Sequence, residues 1–142
     1  MFRLALPLLA IALFASSTQA QEGNYFGSGE GGELTAKIKH IENDAYAVSL
    51  STVVPMENDF PGCAGGIDGE ALLDDTGGNL FVENENYEPG SDSPLLGEQY
   101  CEVKLSFDED GFLNIEEQQG CLAYHGAACG FSGQVMNENA VN

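Results

Sequence analysis

The sequence predicts an all-β protein, a small antiparallel β-barrel of about eight strands, with a flattened β-sandwich as the alternative. Apolar and polar residues alternate with a period of two along most of the chain, which is typical of half-buried strands. Turns rich in Gly, Asn and Asp separate these segments, and no amphipathic helix of useful length appears. Closing such a series of strands protects the edges that would otherwise invite aggregation.

The first 20 residues have the composition of a secretory signal peptide. The single positive charge of Arg3 precedes an apolar run over residues 4–15, and small residues, Thr18 and Ala20, occupy the expected cleavage positions. The apolar run is shorter than an ordinary membrane-spanning helix. We therefore expect 1–20 to be removed and 21–142 to form a single exported domain, without a membrane span, in the periplasm or the medium.

The first half of this domain predicts three strands. Residues 24–28 form a short first strand before a glycine-rich connection. Apolar residues then alternate along 34–39 and again along 46–51, on either side of a Glu42-Asn43-Asp44 turn, which indicates a hairpin. Pro55 ends its second strand because proline cannot donate to a strand ladder. Residues 56–66 have the composition of a loop.

The second half predicts the remaining strands. Residues 67–73 and 79–83 are joined by a turn rich in Asp and Gly, and 84–97 is an exposed acidic loop. The clearest hairpin joins 101–107 to a strand beginning near Leu113, with Gly111 suited to the positive-φ position of its turn. A final strand covers 130–136.

The four cysteines predict two disulfides, since an exported domain of this size is normally oxidised. Three pairings are formally possible. We predict Cys121 with Cys129, which staples the last cysteine-bearing segment as a loop, and Cys63 with Cys101. Closing these loops would contribute about 2.6 and about 3.9 kcal/mol, respectively, through the entropy of the unfolded chain.

The charge of the chain limits its partners. After removal of Arg3, three lysines face 23 acidic residues, so the charge is about −20 with neutral histidines. Phosphates would be repelled by this surface, which excludes nucleic acid. The charge favours a basic partner or a cation, and acidity that serves only solubility remains the alternative.

One segment can be aligned with a calcium-binding EF-hand loop. Asp108, Asp110 and Glu117 fall at its third, fifth and twelfth positions, and Gly111 falls at the sixth. Ser106 replaces the aspartate of the first position, and the flanks alternate as strands where the motif requires helices. We therefore favour an ordinary hairpin turn that binds calcium weakly or not at all.

A zinc site is the alternative for the last cysteine-bearing segment. Cys121, His125 and Cys129 recur every four residues, which on a helix would align three zinc ligands. No fourth ligand is evident, and exported cysteines usually oxidise. We therefore favour disulfides and expect no cofactor.

No recognisable catalytic set is present. Ser132 lies in Gly-Phe-Ser-Gly, which is not the nucleophile motif of a hydrolase, and the many acidic residues make any glycosidase-like pair uninformative. The sequence therefore predicts a protein that is not an enzyme. Tyr124, His125 and Phe131, which lie between or beside the last two cysteines, are the candidate binding residues.

The layout of an export signal, a cysteine-stapled β-meander and a cysteine-rich final turn resembles the small periplasmic β-barrel proteins of Gram-negative bacteria, among them lysozyme inhibitors. In the C-type inhibitors a Ser-Gly-x-x-Tyr loop is associated with the lysozyme cleft. Neither Ser28-Gly29 nor Ser132-Gly133 is followed by tyrosine at the matching place, so no site residue is transferred from that family.

The resemblance implies a monomeric, non-catalytic inhibitor of a basic protein such as lysozyme. The charge supports the same expectation independently, because an acidic domain is steered towards a basic one. The alternatives are a small-ligand or calcium-binding periplasmic module, and a structural protein of the envelope.

Overall fold

The computed structural model describes residues 21–29 and 32–140. It confirms the predicted fold class: eight antiparallel strands follow one another around a closed barrel, and the last pairs with the first. The predicted signal peptide lies outside the described residues. The strands are β1 (Gly23–Gly29), β2 (Glu33–Glu42), β3 (Ala45–Val54), β4 (Cys63–Leu72), β5 (Gly77–Glu83), β6 (Tyr100–Phe107), β7 (Phe112–Gln119) and β8 (Gly133–Asn137).

The apolar residues of the alternating pattern point into the barrel, and the polar residues between them lie on its outer face. On β2, for example, Leu34, Ala36 and Ile38 are buried, while Lys37 and Lys39 are exposed. Side chains fill the interior, as expected for a barrel of eight strands. The largest fully buried ones are Tyr25, Phe131, Leu34, Leu50, Leu73, Leu80, Leu105 and Leu113.

The two ends of the barrel differ in their connections. Short turns at 43–44, 73–76 and 108–111 close one end, which we call the turn end. The other, which we call the clasp end, carries the longer loops 55–62 and 84–99 and the cysteine-bearing residues 120–132, which we call the clasp segment. The structure confirms a positive φ at Gly111, 87°, and the predicted turn at Asn43. The expectation of a loop as far as residue 66 is wrong, because β4 begins at Cys63. The last strand begins at Gly133 rather than at Gly130, because residues 130–132 still belong to the clasp segment.

The predicted disulfide pairing is also wrong. Cys63 is bonded to Cys129, and Cys101 is bonded to Cys121. Because β6 pairs with β7, the strand ladder brings the chain just after β7 beside Cys101, and the Cα atoms of the second pair lie 4.4 Å apart. The clasp segment folds back over the barrel end and brings Cys129 to the start of β4. Both cysteines of the zinc alternative are therefore oxidised.

Asp74 stabilises the turn between β4 and β5. Its Oδ1 accepts hydrogen bonds from the hydroxyl and the amide of Thr76, at 2.7 and 2.8 Å, and from the amide of Gly77 at 3.1 Å. The bond from the Thr76 hydroxyl contributes most to holding the pKa of Asp74 below its ordinary value of 3.8. The ionised form is therefore favoured in the folded state.

We expect Asp74→Asn to abolish a pH-dependent part of the stability. A pKa that is lower in the folded chain than in the unfolded chain stabilises the fold above the unfolded value, and this contribution is lost as the pH falls through the folded value. Urea unfolding of both proteins should give a difference in the free energy of unfolding that shrinks below about pH 4. Asp75→Asn, which removes a neighbouring carboxylate, is the control. A difference that stays constant down to about pH 2 would contradict this role.

Candidate binding surface

The structure places the three candidate binding residues of the clasp segment at different depths. Phe131 is fully buried in the core, and its ring meets that of His125 edge to face, with the ring centroids 5.2 Å apart. Tyr124 is half-buried against the core and donates its hydroxyl to the carbonyl of Glu83. Of the three, Tyr124 lines a surface depression, which it shares with the loop 84–99.

His125 forms a shielded contact with Glu117 of β7. Its Nε2 lies 2.9 Å from Glu117 Oε1, and the two side chains are 4% and 24% exposed. The contact is short but poorly aligned, since Nε2 makes no hydrogen bond within the described residues. The same Oε1 accepts a hydrogen bond from the Phe131 amide, and the Glu117 amide donates to Ser132 Oγ. These contacts tie β7 to the clasp segment.

The structure does not bring the calcium candidates together. Asp108 and Asp110 lie in the β6–β7 turn, where Asp108 Oδ1 accepts from the amides of Asp110 and Phe112 at 2.9 and 3.0 Å. Glu117 lies five residues beyond Phe112, about 17 Å along an extended strand. In the described ranges, no three His, Cys, Asp or Glu side chains are grouped to hold a metal ion. The expectation that this turn binds little or no calcium stays a prediction.

The acidic side chains surround both ends of the barrel. At the turn end they are Glu22, Glu42, Asp44, Asp74, Asp75, Asp108, Glu109, Asp110 and Glu138. At the clasp end, within the described residues, they are Glu33, Glu57, Asp59, Glu83, Glu85, Glu88, Asp92, Glu98, Glu102 and Glu117.

These carboxylates lack cationic partners. Among the described residues, the contact of His125 with Glu117 is the one approach of a basic side chain to a carboxylate within 4 Å, and no lysine lies that close to a carboxylate. All three lysines and every acidic residue except Glu30 belong to this part of the chain. The negative charge is therefore uncompensated at the surface, and it is available to an external cation or a basic partner.

A depression of about 350 Å³ opens at the turn end. The half-buried Phe107 and Phe112 line it, together with the buried Tyr25 and the carboxylates of Asp75 and Glu109. The rings of Tyr25 and Phe107 lie 6.3 Å apart. Aromatic faces beside carboxylates suit a small cationic group.

A buried polar network lies beside this depression. Tyr25 donates its hydroxyl to the carbonyl of Gln21 at 2.8 Å, and Tyr46 donates to Gln21 Oε1 at 3.1 Å. Gln21 Nε2 donates in turn to the carbonyl of Asp74 at 2.6 Å. Burial raises the pKa of both tyrosines, so their neutral, donating forms are favoured. The network anchors the start of the described chain in the barrel mouth.

Sequence reasoning missed this depression because its residues come from four separate segments of the chain. The one available signal was local. Phe107 and Phe112 flank the predicted turn at Asp108–Gly111, and a tight hairpin turn brings such flanking residues to the same end of a sheet.

Comparison with protein-family models, with curated proteins and with solved structures finds no match to this chain. In the described residues the helical content is one short 3₁₀ turn, Glu138–Ala140, and no helix could cross a bilayer. The structure thus defines a closed, eight-stranded antiparallel barrel with two disulfides and an uncompensated acidic surface.

Proposed function

We propose that this protein is an exported, acidic binding protein without catalytic activity, located in the periplasm or the medium, that binds and inhibits a basic protein such as lysozyme. The observation that carries the proposal is the absence of any lysine within 4 Å of a carboxylate among the described residues. A basic partner would supply the cations that these carboxylates lack, and complementary potentials would speed the encounter.

Charge explains the encounter but not the strength of a complex. Exposed charges are screened, because the Debye length falls from about 10 Å at 0.1 M salt to about 3 Å at 1 M. Tight binding also needs an apolar contact and a surface that loses little freedom on binding. The packed interior and the two disulfides supply the rigid scaffold for such a surface, and the protein acts as a monomer.

The turn-end depression supports a second candidate function, the binding of a small ligand. Because side chains fill the barrel interior, a ligand of useful size would bind at this surface site rather than inside. The aromatic rings and the carboxylates in its lining favour an organic cation. Binding of such a ligand without any effect on basic proteins would favour this candidate.

We expect purified 21–142 to inhibit one class of lysozyme stoichiometrically in a cell-wall lysis assay at about 0.15 M salt. Electrostatic steering should make the association rate fall at least tenfold between about 0.05 and about 0.5 M salt, while the dissociation rate changes little. Asp68→Asn with Glu70→Gln, on the outer wall, should slow association only slightly. If every basic protein were inhibited weakly, and if this inhibition disappeared at about 0.15 M salt, the binding would be unspecific charge attraction and the proposal would be contradicted.

A further inference from the structure

The connection between β3 and β4, residues 55–62, exposes large apolar side chains at the clasp end; we call it the Met56–Phe60 loop. Met56 is 81% exposed and Phe60 is 78% exposed, more than any other large apolar residue in the described chain. Single exposed apolar residues are common on protein surfaces. Two of them on one short loop of a strongly acidic protein form an apolar surface, and covering it with a partner lowers the free energy of the complex.

The loop has internal structure. The Phe60 amide donates to the carbonyl of Glu57 at 3.0 Å, and Asn58 adopts a positive φ of 53° at the turn between them. Its two arms are in close contact, because a Cβ on Gly62 would lie 2.9 Å from Met56 Cγ and 2.7 Å from the carbonyl oxygen of Val54. The absence of a side chain at Gly62 therefore permits this packing.

The base of the loop is tied to the clasp segment. Cys63, which pairs with Val54 in the ladder, is bonded to Cys129. The Gly66 amide donates to the carbonyl of Tyr124 at 3.0 Å, and the Gly126 amide donates to the carbonyl of Ala64 at 3.3 Å. The loop thus stands on a cross-linked base, which lowers the entropy that binding would cost.

We infer that the Met56–Phe60 loop is the surface that holds the basic partner. Met56 and Phe60 enter apolar depressions of that partner, and Glu57 and Asp59 face its cationic side chains. The inference rests on the proposed function and assigns the binding of the partner to this one loop. It follows the usual anatomy of an interface, in which a few buried apolar anchors contribute most of the affinity and charged groups surround them.

Charge selects a basic partner over the other possible occupants of this loop. Two copies of 21–142, each of charge about −20, would bring Glu57 and Asp59 of one copy towards the same carboxylates of the other. An anionic lipid surface would repel these carboxylates in the same way. A protein with basic residues around an apolar depression satisfies both the apolar and the acidic side chains.

The test compares two double variants that leave the charge unchanged. Met56→Ser with Phe60→Ser removes the apolar anchors, whereas Leu72→Ser with Ile41→Ser removes exposed apolar residues at the turn end. Against the lysozyme that the unmodified protein inhibits best, the loop variant should bind at least about 100-fold more weakly, mainly through faster dissociation. The turn-end variant should stay within about threefold of the unmodified protein.

A third variant, Gly62→Ala, tests preorganisation, since its methyl would lie within 3 Å of both Met56 Cγ and the Val54 carbonyl oxygen and would displace the two arms of the loop while keeping Met56 and Phe60. We expect at least a tenfold loss of affinity. If the loop variant binds as tightly as the unmodified protein, the assignment of the loop is overturned and the proposed function is left intact. Failure of the unmodified protein to bind any basic lysozyme would overturn both. A concentration-dependent dimer that the loop variant loses would assign the loop to self-association instead. A cooperative thermal unfolding transition would show that each variant is folded.

Discussion

Replacing Cys63 and Cys129 together by serine is expected to lower the free energy of unfolding by about 4.4 kcal/mol. This bond joins residues 66 positions apart in sequence, and the entropy that a cross-link removes from the unfolded chain grows with loop length. The bond between Cys101 and Cys121 spans 20 positions, for which the same reasoning gives about 3.3 kcal/mol. Urea unfolding of both double variants would measure the two losses.

Peptide mapping without reduction supplies the control for this prediction. It should recover one peptide pair that contains Cys63 and Cys129 and another that contains Cys101 and Cys121. A peptide pair that links Cys121 to Cys129 would contradict the structure. A larger loss for the shorter bridge would contradict the entropic reasoning and would indicate that native contacts dominate its contribution.

Phe131→Ala is expected to destabilise the fold by about 3–5 kcal/mol, because truncating a fully buried aromatic side chain loses its burial and leaves a cavity. The ring is fully buried and packs against His125, so its removal also loosens the contact between the clasp segment and β7. Thermal or urea unfolding would measure the effect. The proposed inhibition, measured on the fraction that remains folded, should be the same as for the unmodified protein.

Tyr124→Phe is the matched control in the clasp segment. It removes the hydrogen bond to the carbonyl of Glu83 and keeps the ring, so we expect a loss of about 0.5–1.5 kcal/mol. Weaker partner binding by Phe131→Ala without a loss of stability would mean that Phe131 contacts the partner, and would contradict its role as a core residue.

The strands were predictable because their signals are local. The alternation in 34–38 places Leu34, Ala36 and Ile38 inside the barrel whatever their neighbours are, and Gly111 suits a positive φ through its own lack of a side chain. The barrel was predicted from the number of strands and from the short connections, since closing the sheet leaves no strand with an unpaired edge.

The disulfides were mispredicted because nearness in sequence was preferred to strand register. The predicted β6–β7 turn pairs Phe107 with Leu113, and counting outward along both strands leads to the neighbourhood of Cys101 and Cys121. A register irregularity between Glu102 and Val103 shifts the pairing by one position without changing this outcome. This bond was therefore within reach of the sequence. The bond from Cys63 to Cys129 was not, because Cys129 lies in the clasp segment, outside the strands, and no strand ladder places it.

By itself, the sequence determined the all-β class, the approximate positions of the strands and the large negative charge, because each depends on composition or on residues close together in the chain. The tertiary structure alone decided which residues meet. It carried Glu117 to the opposite end of the barrel from Asp108, buried Phe131, and left Met56 and Phe60 exposed on an anchored loop. The physical reason is that strand register and ring closure bring together segments far apart in sequence, and period-two alternation does not encode those contacts.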